Sequence, residues 1–221
     1  NPYFDKIVGI SIATDIGEAA YLPLVYNDGA ANGDLFGSAP EQNQVPLLNF
    51  ATVKKYLRPL MEGKSILKIG HNIKFDLHFI AQVLGEDCDV FPIEDTAVLS
   101  YVLDSSQHGH GLDELAMLFL NHKMIAYEEV CGSGKNKITF DLVPLEKAVD
   151  YAAEDADFTL RLYNIFKNRL VKEHKAFIYE HFDRGLIQTL KIMEDNGILV
   201  DAAALKALSR EFEQNLKQLE Q

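Results

Sequence analysis

Two short, mostly apolar runs, Ile7 to Ala13 and Ala19 to Leu24, are separated by the polar, glycine-bearing stretch Asp15-Ile16-Gly17-Glu18. This pattern predicts a hairpin of adjacent strands. From Asn27 to Val45 the residues are rich in Gly, Ala, Asn, Asp and Pro and show no period, which predicts a surface loop. Asn49 caps a predicted helix to about Met61, with Val53, Tyr56, Leu57 and Leu60 on one face and Gly63 as its stop. Ile66 to Gly70 reads as a short buried strand that runs into a helix from about Lys74 to Leu84, ended by Gly85. A short strand near Val90 leads to Asp95-Thr96 and a helix from Ala97 to Leu103. A loop at 105–111 precedes a helix from Leu112 to Leu120. Pro144 opens a long helix to about Lys172, where Val149, Ala153, Ala156 and Leu160 form a stripe suited to close packing on a sheet. A helix from Ala176 to Glu194 stops at Asn196-Gly197. The last helix starts at Val200-Asp201 and carries an apolar stripe of Leu205, Leu208, Phe212, Leu216 and Leu219 with no partner in the sequence.

Alternating strands and helices give an α/β class, and 221 residues with 48% hydrophobic content support one substantial core with an appended element. No apolar run reaches the roughly 18 residues of a membrane span, and the start lacks a basic-then-apolar leader, so a cytoplasmic location and no membrane partner are expected. Cys88 and Cys131 lack CxxC spacing and read as plain thiols. His108, His110 and His122 fit no closed zinc set and read as solvated or capping residues. The net charge of −12 argues against a grip on duplex DNA through many phosphates. An enzyme that admits a few frayed nucleotides needs less cationic surface.

Two segments carry candidate chemistry. Tyr151 and Asp155 lie four residues apart in a helical stretch, hence on one face, where a carboxylate can hold a metal and a phenol can position its water. An ordinary amphipathic helix with an acidic face accounts for the same spacing. Asp76 follows a strand and turn, which places it at a strand's carboxyl end, where ligands gather in open α/β sheets; capping or solvating its helix is the plain alternative. Lys135-Asn136-Lys137, in a Gly-rich loop after Tyr127, could present cations and an aromatic ring to a single strand, or form a solvated turn.

Taken together, Gly70-His71-Asn72-Ile73-Lys74-Phe75-Asp76, Glu94-Asp95-Thr96, His110 to Ala116, Gly132 to Asn136 and Tyr151 to Asp157 resemble the proofreading 3′-5′ exonuclease domain of bacterial family A DNA polymerases, on the Tyr-bearing branch of the DEDD superfamily. Met193 to Asp201 resembles the segment leading into the polymerase domain of the same family. The resemblance implies a ribonuclease-H-like mixed sheet flanked by helices, with a C-terminal helical extension. It divides the chain into an exonuclease-like domain at 1–174 and the helical start of a polymerase domain at 175–221.

By the same resemblance, Asp76, Tyr151 and Asp155 are the catalytic residues, Asp76 and Asp155 are metal ligands, and Asn72, Phe75 and Tyr127 bind substrate. The implied cofactors are two divalent ions, Mg²⁺ or Mn²⁺. The implied partners are a single-stranded or frayed DNA 3′ end and a polymerase domain in the same polypeptide. Two departures stand out. The family's first motif, Asp-x-Glu on a strand, belongs just upstream of Lys6 to Ile12, and Asn1 to Asp5 hold only Asp5. Two of four carboxylates therefore remain, and the chain is expected to bind metals poorly and to hydrolyse weakly or not at all. Gly109 stands where the family often has Arg before the His of His-Gly-Leu-Asp, which removes a phosphate contact. Two other functions fit: a catalytically silent fold bracing the polymerase, and an RNA-trimming relative on the same branch, against which Met193 to Asp201 argues.

Overall fold

A computed structural model describes residues 2–24 and 48–220. The predicted loop from Asn27 to Val45 lies outside the described residues. Strands β1 (Gly9–Asp15) and β2 (Glu18–Pro23) pair antiparallel, with Ile10 opposite Leu22 and Asp15 opposite Glu18. Their two-residue turn depends on Gly17, whose φ of +82° suits a residue without a Cβ. Strands β3 (Lys68–Gly70) and β4 (Ile93–Asp95) pair parallel, with Lys68 opposite Ile93 and Gly70 opposite Asp95. The strand expected near Val90 thus begins three residues later. The expected α/β class holds, with both strand senses present and helices packed around them.

Helix α1 (Phe50–Glu62) starts where the Asn49 side chain accepts the Thr52 N–H at 2.8 Å. Of its predicted apolar face only Val53 and Leu57 are buried, whereas Tyr56 and Leu60 stay exposed because the hairpin and the end of α2 cover one narrow strip. Helix α2 (Ile73–Leu84) follows β3, and helices α3 (Thr96–Asp104) and α4 (Leu112–Leu120) follow β4. A short helix α5 (Tyr127–Cys131), absent from the periodicity, lies before the predicted Gly-rich loop. The axis of the fold is α6 (Leu145–Lys172), which contacts β1, β2, β3, α3, α4 and α5.

The deepest row of α6 is Ala148, Ala152, Thr159, Leu162, Phe166 and Leu170. The predicted stripe of Val149, Ala153, Ala156 and Leu160 is only half-buried. No residue from 151 to 163 is exposed, since the helix is covered on more than one side, and small residues mark a flank rather than the deepest line.

The predicted Ala176 to Glu194 helix is present in three parts: α7 (Ala176–Ile178), a π-helical turn (Tyr179–Asp183) and α8 (Arg184–Asn196). The widened turn coincides with Tyr179, which is fully buried with Leu99, Leu103, Leu115, Leu162, Phe166 and Leu170. Ile187 of α8 joins a second cluster with Ile73, Leu77, Val90 and Ile93. Buried Glu94 ties the same region together, because Lys167 of α6 donates to it at 2.8 Å and Arg184 of α8 lies 3.9 Å away. Helix α9 (Ala202–Leu219) buries none of its residues. Among the described residues no helix is long and apolar enough to cross a membrane.

Because Ile187 is only 4% exposed, Ile187→Ala should cost about 2–4 kcal/mol in chemical denaturation. The exposed Leu208→Ala should stay within about 0.5 kcal/mol of the parent. Equal effects would contradict the division between a packed α8 and an unpacked α9.

Candidate active site

The site is organised by Asp95, which is 2% exposed and sits at the end of β4. One carboxylate oxygen accepts the N–H groups of Asn72 at 3.0 Å, Ala97 at 2.9 Å and Val98 at 3.4 Å. The other accepts Ile73 N–H at 2.8 Å. A single side chain therefore serves the first N–H groups of α2 and α3 together, groups that have no partner within their own helices. Asn72 can supply its N–H because it adopts the left-handed region, φ 58° and ψ 45°. The turn is tight as well: a Cβ on Gly70 would fall 2.7 Å from that of Ile73. His71 Nδ1 lies 2.9 Å from the Thr96 hydroxyl, which donates to Gly70 O at 3.2 Å.

This clamp sets where α2 begins, and so where Phe75 and Asp76 project. Phe75 is 45% exposed and meets Phe79 edge-on, with centroids 5.3 Å apart. Asp76 shares one electrostatic neighbourhood with Asp95 and with Asp155 of α6. Crowding by protein atoms, and then the charges of Asp95 and Asp155, push its carboxyl up to about 7. Water reaches the exposed part of this side chain, which tempers the crowding and leaves the repulsion in place.

Tyr151 and Asp155 stand one turn apart on α6, on one face of the helix, and their side chains influence each other's protonation. Burial raises Asp155 to about 6, the negative charges of Glu154 and Asp113 act in the same sense, and the Tyr151 hydroxyl opposes them. Burial and the Asp155 charge push the Tyr151 phenol well above its ordinary value, so it stays protonated near neutrality.

The Tyr151 ring lies edge-on to Tyr127 at 6.3 Å and tilted against Phe140 at 5.8 Å, and Phe140 meets Tyr21 of β2 edge-on at 6.3 Å. These rings wall one side of the site. Tyr127 is 37% exposed, lies on the same short helix as buried Cys131 and has Lys137 Nζ 5.1 Å above its ring. Glu154 holds this wall in place: it accepts Ile125 N–H at 2.7 Å and pairs with His122 at 2.8 Å, fixing the segment that enters α5. His108 and His110 pack edge-on at 5.2 Å and bond to Asp104 and Ser100, while His122 pairs with Glu154 instead.

The structure thus couples Asp76 electrostatically to Asp155 and sets Tyr127 against Tyr151, while Asn72 and Phe75 line a cleft on the α2 side. Sequence reasoning quoted Asp95, Asp113 and Glu154 within its motifs but gave none of them a role. Asp95 carried a legible signal, an Asp directly before an apolar helix. Glu154 carried none, since its partners are more than twenty residues away.

The profile of a family described as "3'-5' exonuclease" matches residues 1–171. The chain belongs to this 3′-5′ exonuclease family. Among its relatives, DNA polymerase I of Rhizobium leguminosarum is 42% identical over 202 residues, 91% of this chain and 19% of that protein. DNA polymerase I of Pseudomonas aeruginosa is 36% identical over 216 residues, 97% of this chain and 22% of that protein. The chain therefore spans about a fifth of the length of these relatives. Among solved structures, Brucella melitensis NrnC superimposes with a TM-score of 0.63 at 21% identity, covering 89% of this chain and 80% of that one. NrnC has also been solved with bound Mg²⁺ and bound to pGG. At that identity the likeness speaks to the fold that the exonuclease family shares with NrnC.

Among the described residues no three His, Cys, Asp or Glu side chains form a metal-binding group. Asp76 and Asp155 nonetheless fit a divalent cation in kind, being hard oxygen donors whose surplus charge a cation would relieve. Both folded-state values lie above the ordinary 3.8, so the folded chain holds these protons more tightly than the unfolded one. Their unfavourable effect is absent below about pH 4 and grows as pH rises through about 6 and 7. In a chelating buffer, Asp76→Asn should therefore raise Tm at about pH 8 and leave it nearly unchanged at about pH 4. Equal shifts at both pH values would contradict this electrostatic picture.

Proposed function

We propose that this site removes nucleoside monophosphates from the 3′ end of a DNA strand, as the proofreading part of a longer DNA polymerase I. The observation that carries the reading is the Tyr151–Asp155 pair, one turn apart on α6, whose carboxyl is electrostatically coupled to Asp76 within the region matched to the exonuclease family. Asp76 and Asp155 would hold divalent cations, Mg²⁺ or Mn²⁺. When bound, such a cation supplies a more acidic water and neutralises phosphate charge. The protonated Tyr151 phenol orients the attacking water rather than removing its proton. Tyr127 and Phe75 present exposed aromatic surface on which frayed bases stack, and Asn72 lines the same entry.

Relatives 42% and 36% identical are DNA polymerase I, which favours a DNA strand and a polymerase domain in the same polypeptide as partners. The nuclease unit we assign is 1–174, followed by the helical start of the polymerase at 175–221. The α7–α8 helices of that second part also pack onto the nuclease core.

The test uses a polypeptide that carries the family's Asp-x-Glu strand ahead of Lys6. Asp76→Ala and Asp155→Ala should each lower release of mononucleotides by orders of magnitude, and Tyr151→Phe by about 10²-fold. Cleavage at the parental rate in either carboxylate variant would sink the assignment.

A further inference from the structure

Beside Asp76 lies a cleft of about 390 Å³ whose lining includes Tyr3, Asn72, Lys74, Phe75 and Glu194. Lys74 supplies a permanent positive charge to this lining in a chain of net charge −12. It also stands in the first turn of α2, where the helix dipole disfavours a cation. Its ammonium is paired with Glu194, near the end of α8, and both side chains are partly open to water, at 27% and 44% exposure.

We propose that Lys74 is a phosphate contact for the single strand entering this cleft, and that Glu194 occupies its place until a strand displaces it. The inference rests on the nucleic-acid reading above and adds a binding residue and its competitor. Exchange is cheap because a partly exposed lysine–carboxylate pair contributes little, and a phosphate oxygen offers the ammonium an equivalent anionic acceptor. Release of Lys74 does not free α8, because buried His78 of α2 remains bound to Asp195 at 2.9 Å and to Glu194 at 3.2 Å. Phe75, next in sequence, faces the same cleft, so a base and its phosphate meet an aromatic ring and a cation together.

The test is fluorescence anisotropy with a short 5′-labelled oligothymidylate in chelating buffer, titrated over salt. A matching oligouridylate arm separates deoxyribose from ribose strands. Lys74→Gln should weaken binding severalfold and lower the slope of log affinity against log salt by about 0.7, the loss of one contact to a single strand. Glu194→Gln should tighten binding severalfold, and this gain should vanish in the Lys74→Gln background. Wild-type affinity and slope in Lys74→Gln overturn the proposal. So does Glu194→Gln with wild-type affinity, or a Glu194→Gln gain that persists without Lys74, which marks a general charge effect. Should Glu194→Gln lower Tm sharply, Lys74→Gln alone decides. Absence of any strand binding by the unaltered chain would instead overturn the nucleic-acid reading itself.

Discussion

The Asp95 carboxylate is the constraint on which the rest of the site depends. Two helices begin at the carboxyl end of the same parallel strand pair, and their first N–H groups point into a region from which water is largely excluded. Asp95 answers four of them with two oxygens. Its own N–H donates to the buried Tyr179 hydroxyl at 3.4 Å, so the C-terminal helical run reaches the same point. Charge-assisted bonds of this kind exceed neutral ones in strength, and orphaned buried N–H groups are costly. The position of Asp76, one turn into α2, follows from where this carboxylate starts the helix.

Around that anchor the fold collects like charges. The charges of Asp95 and Asp155 hold Asp76 towards protonation, and those of Glu154 and Asp113 do the same to Asp155. Such a cluster opposes folding. It is offset by a paired carboxylate near the C-terminal end of α6, where Asp104 accepts from both terminal Arg169 nitrogens at 2.8 Å and is held below the usual carboxylate range. Charge is thus balanced in the supporting helices and left unbalanced at the cleft, the arrangement expected where a cationic ligand belongs.

Much of this was legible in the sequence. The hairpin, the strand–turn–helix around Asp76, the Asn49 cap and the full length of α6 follow from period, caps and glycines, because those signals are local. The deepest face of α6 was displaced by one position, since a helix covered on several sides has no single stripe for small residues to report. The exposed faces of Tyr56 and Leu60 on α1 show the same limit: periodicity gives a face, and neighbours decide how much of it is covered. The π-helical turn at Tyr179, the Glu154 link to Ile125 and the shared cap at Asp95 arise from contacts distant in sequence. Tyr151 and Asp155 were visible as a spacing and the family resemblance joined Asp76 to them, whereas the electrostatic coupling of Asp76 to Asp155 arises only from the fold.

The most direct test of the whole account follows both ends of one DNA strand, using the polypeptide that includes the first acidic motif and a divalent cation. A strand labelled at its 5′ end should shorten one nucleotide at a time while keeping its label, with nucleoside monophosphates released from the other end. Early release of the 5′ label as a mononucleotide, or internal cuts that leave the 3′ end intact, would contradict it.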